Sequence, residues 1–201
     1  MMKVLFSTFI LLLLFSLRLF PQAAADENVL LEWNEFYDLT WDDFRGNPGE
    51  GAIGDAGTAV KITAKPYYVK KQVQYDVTAY FDRGKSWSRG KSDALLKHEQ
   101  LHFDIAELYA RKIRKKIIEL SLRGEDDLSV FNSAIRRILE ESNEADQRYD
   151  LETLHGALQK KQALWEKQVK EQLQGLKDYK KQKRVIAVKK ALINNPLVFG
   201  R

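Results

Sequence analysis

The 201-residue chain contains no cysteine, and this absence excludes several classes of protein. There can be no disulfide framework and no thiol chemistry. A lipid-modified cysteine after an export signal is excluded as well. A cysteine-free chain of this size must be held together by its hydrophobic core, to which a bound metal could add.

Long apolar runs are missing after the first 25 residues. Within those residues, Lys3 precedes an apolar run at 4–17, and Ala23 and Ala25 occupy the small-residue positions of an A-x-A cleavage site. The run is shorter than the roughly 20 residues that a membrane-spanning helix needs. We therefore predict a signal peptide at residues 1–25, cleavage near Ala25, and a secreted or periplasmic protein. An uncleaved membrane anchor is the alternative.

A strong excess of one charge is also lacking. Removal of residues 1–25 takes away Lys3 and Arg18 but no acidic residue, so the formal charge falls from +5 to +3. Lysines concentrate near the C-terminal end, but no aromatic pattern suited to stacking on bases accompanies them. We expect no nucleic-acid partner, and only loose attraction of this basic segment to an anionic cell envelope.

The order of the hydrophobic patterns predicts the fold class. Residues 60–64 and 73–81 alternate with a period of two, which predicts an antiparallel hairpin. Helical spacing follows at residues 93–122, and further helices are predicted at 127–146 and 157–180. Strands followed by helices are typical of an α+β fold. We predict one monomeric α+β domain at residues 26–180 and a basic C-terminal tail at 181–201.

The chain has only three histidines, and two of them form a known spacing. His98 and His102 stand four residues apart, with Glu99 directly after the first. On a helix they share one face, which is the geometry of H-E-x-x-H: two zinc ligands and a general base. Zinc lowers the pKa of a bound water to about 7, and Glu99 would take its proton during attack on a carbonyl. Alternatives are a charged helix with two surface histidines, or a zinc site without catalysis.

A catalytic zinc usually keeps three protein ligands, so a third is expected. Glu107 falls on another side of the helix, and Asp104 is also off the histidine face, where it could only orient another group. His155, in "YDLETLHG", is the remaining histidine and the predicted third ligand. Glu144, on the preceding predicted helix, is the competing candidate.

The segment around His155 contains three further candidates. Tyr149 could donate a hydrogen bond to a developing oxyanion and so act in catalysis, or it could simply pack in the interior. Asp150 or Glu152 could accept the second ring proton of a ligating histidine, or serve as turn residues.

Together, "LTWDDFRGNP", "LLKHEQLHFDIAE" and "YDLETLHG" resemble an uncharacterised bacterial family of predicted secreted zinc-dependent proteases, over roughly residues 30–175. The resemblance implies a zincin-like metallopeptidase domain, Zn²⁺ as cofactor, and a peptide or protein substrate. The family motif falls on His98, Glu99, His102 and His155. Asp104 departs from the usual zincin pattern, in which a hydrophobic residue is common at that place.

Two other functions are compatible with the same residues. One is zinc-dependent hydrolysis of amide bonds in cell-wall peptides. The other is a non-catalytic envelope protein that uses its helices and basic tail to bind a partner.

Overall fold

The computed structural model describes residues 29–69, 72–181, 188–189 and 197–200. The predicted signal peptide at 1–25 and most of the predicted basic tail lie outside these ranges. Within them, none of the helices has the length and apolar character that crossing a membrane requires.

An antiparallel sheet forms the first layer. Its strands are β1 (Leu30–Glu32), β3 (Val60–Val69), β4 (Gln72–Asp82), β6 (Val188–Lys189) and β7 (Leu197–Gly200), and a separate two-stranded ribbon joins β2 (Ala56–Gly57) to β5 (Trp87–Ser88). The order is β1-β4-β3-β7, with β6 also paired to β4. The predicted hairpin is confirmed, because β3 and β4 pair along their whole length. Two strands, β6 and β7, lie beyond the predicted domain boundary at residue 180.

Three helices follow the hairpin: α1 (Asp93–Leu122), α2 (Leu128–Thr153) and α3 (Gln159–Gly175). The α+β class is thus confirmed. The bounds of α1 agree with the prediction, and the Ser92 side chain caps its start by accepting a hydrogen bond from the Leu95 amide (3.2 Å). The second helix, however, runs seven residues past its predicted end at 146. Its buried stripe continues through Tyr149 and Thr153, whose polar groups weaken the apolar signal in the sequence.

Helix α1 is the centre of the molecule, because it contacts the sheet and both other helices. Residues of β3 and β4, α1 and α2 share one hydrophobic core, which includes Ile62, Val77, Ile113 and Phe131. Their burial removes apolar surface from water and is the main stabilising contribution to the fold.

A buried ionic network fixes α1 to its surroundings. Glu107 accepts hydrogen bonds from Arg111 Nε (2.9 Å) and Arg114 Nη1 (3.0 Å). Arg114 also donates to the Val77 carbonyl on β4, and Arg111 to the Leu173 carbonyl on α3. All three charged side chains are buried, and their pairing offsets the cost of removing them from water. Glu107 therefore points away from the histidines, as the helical spacing predicts.

Candidate metal centre

The two histidines of α1 lie side by side in the interior. His98 and His102 are 1% and 6% exposed, and their Nε2 atoms are 3.3 Å apart. Surface histidines would be exposed to solvent, whereas these two are buried. The alternative of a charged helix with two surface histidines therefore does not hold.

Helix α2 brings two carboxylates to the same point. Asp146 and Asp150 stand four residues apart, so they share one face of α2 just as the histidines share one face of α1. Asp150 Oδ1 lies 3.2 Å from His98 Nε2 and 3.0 Å from His102 Nε2. Three potential ligand atoms, from two residues of one helix and one of another, therefore converge.

The other ring nitrogen of each histidine is held by a separate acceptor. His102 Nδ1 lies 2.5 Å from Asp146 Oδ1, and His98 Nδ1 lies 3.2 Å from Gln162 Oε1 on α3. Gln162 Nε2 donates to Glu166 Oε1 (2.9 Å), so it is the amide oxygen that faces His98. Both Nδ1 atoms must then carry a proton, because their partners can only accept. Each neutral ring consequently presents the lone pair of Nε2 to the convergence point.

Three electron-rich atoms this close require a cation among them. Without a metal, that cation is a proton on His102. Burial lowers the pKa of His102, but Asp146 and Asp150 outweigh burial and raise it to about 10. Burial likewise raises the pKa of Asp150, yet His102 and His98 outweigh it and hold that pKa well below its ordinary value. The pocket is thus built to hold positive charge.

The dimensions and the ligand atoms fit a zinc ion. Ligands about 2.0–2.1 Å from zinc in tetrahedral arrangement lie about 3.3 Å from one another. The three separations here are 3.3, 3.2 and 3.0 Å. Asp150 Oδ1 is also buried and, although close to both rings, forms no hydrogen bond with any residue in the described part of the chain. Two imidazoles and one carboxylate are a known catalytic zinc set, and both histidines have the acceptor that ligating imidazoles usually require.

The two predicted catalytic residues are both buried, and Tyr149 packs directly against His98. Glu99 follows His98 on α1 and is 3% exposed. Tyr149 is fully buried; its ring stacks on His98 with centroids 4.7 Å apart, and its hydroxyl donates to Gln162 Oε1 (2.8 Å) and lies 3.1 Å from the His98 carbonyl oxygen. Burial, before any other cause, raises the pKa of Tyr149. This geometry favours a role in positioning His98, and the electrophile role of Tyr149 stays a prediction.

The predicted third ligand, His155, lies at the outer rim of the centre. Its Nδ1 is 3.5 Å from Asp150 Oδ1, and one ligand atom each from His98, Asp150 and His155 lie within 4.8 Å of one another. The His155 side chain is 66% exposed, in contrast to the buried pair. Glu144 is exposed on α2 and does not belong to this group.

A left-handed turn after α2 carries His155. Leu154, His155 and Gly156 all have positive φ, at 48°, 51° and 80°. Residues other than glycine pay about 1–2 kcal/mol each for this conformation, so the turn must be imposed by its surroundings. One constraint is visible at Gly156, where an added Cβ would lie 3.0 Å from His98 Cβ and Cγ. The turn is therefore packed directly on the His98 ring.

The remaining predicted residues have other partners. Asp104 accepts hydrogen bonds from Trp33 Nε1 (2.8 Å) and Gln100 Nε2 (3.0 Å), and burial raises its pKa. Glu152 accepts from Trp165 Nε1 (3.0 Å). Within the described residues, neither Asp104 nor Glu152 forms a hydrogen bond with a histidine.

Sequence reasoning missed Asp146 and Gln162 and gave Asp150 a different role. The carboxylates had a readable signal, since Asp146 and Asp150 repeat the four-residue spacing of His98 and His102. No sequence pattern predicts the role of Gln162, because a glutamine on a charged helix cannot be told from an ordinary surface residue.

The comparisons with known proteins agree with the sequence resemblance on one point, the membership of an uncharacterised bacterial family. Residues 36–156 match the family described as a bacterial protein of unknown function, DUF922. No curated protein and no solved structure matches the chain. The matched range includes α1, α2 and the turn with His155, and it covers more than half of the chain. The chain therefore belongs to the DUF922 family of bacterial proteins of unknown function.

Proposed function

We propose that this protein is an exported zinc-dependent hydrolase with a zincin-like domain, which cleaves peptide bonds in peptides or proteins. The observation that carries the proposal is the meeting of His98 Nε2, His102 Nε2 and Asp150 Oδ1, and the helix of the two histidines also carries the buried Glu99 directly after His98. We assign the zinc ligands to these first three residues and the general base to Glu99. Asp150 thus takes the third position for which the sequence favoured His155.

The surrounding residues would keep the ligands in place. Asp146 fixes the tautomer and ring orientation of His102, and Gln162 does the same for His98. Tyr149 supports both the His98 ring and Gln162. Because these contacts exist before any substrate binds, the lone pairs need no rearrangement to accept a metal.

When bound, zinc would supply Lewis acidity and lower the pKa of a coordinated water. Glu99 would accept the proton of the attacking water and pass it to the leaving amine. Its place on α1, next to His98, keeps this carboxylate close to the centre without making it a ligand. The choice of a peptide bond rests on the H-E-x-x-H spacing and on the family resemblance, and the export assignment rests on residues 1–25.

Replacement of the base tests the proposal. Glu99→Gln removes the proton acceptor but keeps the size of the side chain, so zinc content should be unchanged. Hydrolysis of a peptide library should fall by about 10²–10⁴-fold, the usual contribution of general-base catalysis. Glu119→Gln, at a partly exposed position of the same helix, is the matched control and should keep full activity.

The choice of substrates separates the rival functions. Peptidoglycan fragments should be assayed beside the peptide library, since their selective cleavage would identify a cell-wall amide hydrolase. Bound zinc without hydrolysis of either pool would contradict the enzyme assignment and favour a binding protein.

A further inference from the structure

The three histidines differ in how firmly their rings are held. His98 and His102 are buried, and each has its second ring nitrogen against an acceptor. His155 is exposed, and within the described part of the chain its only polar side-chain contact is with Asp150. Ligating histidines usually have a partner on the other nitrogen that fixes the ring and raises its basicity. His155 lacks that support, so any bond it makes to a metal is the one most easily given up.

The backbone beneath His155, in contrast, is fixed. The His155 amide donates to the Asp150 carbonyl (3.0 Å), and the Gly156 amide donates to Thr153 Oγ1 (3.2 Å). Gly156 itself lies against His98, and no side chain would fit there without displacing that ring. A helix commonly ends with a single left-handed residue, whereas three follow one another here. The turn thus holds the Cα of His155 at the rim of the centre while the imidazole can rotate.

We propose that His155 is a displaceable fourth ligand, which closes the solvent-facing side of the metal in the resting protein and leaves when substrate binds. The inference rests on the proposed zinc site of His98, His102 and Asp150. His155 Nδ1 is 3.5 Å from Asp150 Oδ1, so a small rotation of the His155 ring brings this nitrogen to bonding distance of the metal. A zinc with four protein ligands is closed, and a catalytic zinc needs an open position. Rotation of one exposed ring converts the first state into the second.

This device has a functional consequence. A closed centre would not hydrolyse unintended substrates, and a substrate would have to compete with His155 for its position. The apparent affinity for any ligand of the open position is then lower than the intrinsic affinity, because only the molecules in which His155 has left the metal can bind that ligand. Removal of the imidazole should remove this reduction.

Cobalt spectroscopy on the full chain provides the test, because the visible absorption of bound Co²⁺ depends on its ligands. His155→Ala should still bind one Co²⁺ but with a changed spectrum. Leu154→Ala is the matched control, since it alters the neighbouring exposed side chain of the same left-handed turn and should keep the wild-type spectrum. Acetohydroxamate, a metal-binding anion, should bind to His155→Ala at least about tenfold more tightly than to the wild type.

Saturation with acetohydroxamate gives the decisive comparison. The wild-type and His155→Ala spectra should then become the same, because His155 has left the metal. Identical spectra without acetohydroxamate would show that His155 is not a ligand, and spectra that still differ at saturation would show a permanent ligand; either result overturns the inference alone. Failure of the wild type to bind Co²⁺ would overturn both this inference and the proposed zinc site.

Discussion

Asp150 Oδ1 lies 3.0 Å from His102 Nε2, so a carboxylate of α2 meets an imidazole of α1 on the side opposite Asp146. His102 is consequently held between two carboxylates one helical turn apart. An imidazole with a carboxylate on each side can carry an additional proton. Alternatively, it can bind a metal ion together with Asp150 while Asp146 accepts its Nδ1 proton.

Asp146→Asn should weaken zinc binding without removing a ligand. Asp146 fixes the Nδ1 proton of His102, and loss of such a partner typically costs 10–100-fold in metal affinity, so we expect a loss of about that size. Competition with a chromophoric chelator measures the affinity. Glu140→Gln, at an exposed position of the same helix, should bind zinc like the wild type. Equal affinity of Asp146→Asn and the wild type would remove Asp146 from the site.

The metal-free protein should lose stability as the pH rises from neutral. The pKa of His102 is about 10 in the folded protein, because the two carboxylates outweigh burial, and about 6.5 in an unfolded chain. Since the folded-state pKa is the higher one, the stabilisation is complete below the unfolded value and disappears as the pH rises through about 10.

Thermal unfolding of chelator-treated protein between about pH 6 and 10 checks this prediction. The His102→Gln variant lacks the titrating group, and its stability should depend much less on pH over that range. A wild-type profile as flat as that of the variant would show that His102 does not hold a proton between Asp146 and Asp150.

Gly156→Ala should be more harmful than Gly124→Ala. Both glycines have positive φ, 80° and 78°, so an alanine at either position pays the same conformational cost. A Cβ on Gly124 would meet nothing within 4 Å, whereas a Cβ on Gly156 would press on His98. We expect an additional destabilisation of about 1–3 kcal/mol for Gly156→Ala, measured by urea unfolding, together with weaker zinc binding. Equal losses at the two positions would mean that the turn does not support His98.

Much of the fold could be predicted from the sequence, because the hydrophobic patterns that define its strands and helices are local. The alternation in β3 and β4 and the spacing in α1 come from side chains that face one core. The sequence pattern predicts too early an end for α2, because the last turns of the helix bury Asp146, Tyr149 and Thr153 in place of aliphatic residues. These are residues of the proposed site or its support, so polar side chains replace the hydrophobic pattern where the helix reaches the proposed metal centre.

The proposed ligand set could be predicted from the sequence only in part, for the same reason. His98 and His102 lie on one helix, so their spacing alone brings them together. The sequence predicts a helix that ends at residue 146, so Asp150 falls outside it, and the direction of its side chain follows only from the continuation of α2 to Thr153. The pairing of β7 with β3 joins segments far apart in the chain, and no local pattern predicts such a partner.

Zinc affinity of the Asp150→Asn variant tests the central claim most directly. The variant keeps the size of the side chain but replaces the carboxylate that meets both Nε2 atoms. In a chelator competition titration, we expect one zinc per wild-type chain and a loss of more than about 100-fold in affinity for Asp150→Asn, beyond the usual effect of a supporting residue. Glu144→Gln should match the wild type. If Asp150→Asn retains zinc like the wild type while Glu144→Gln loses it, the proposed centre is contradicted.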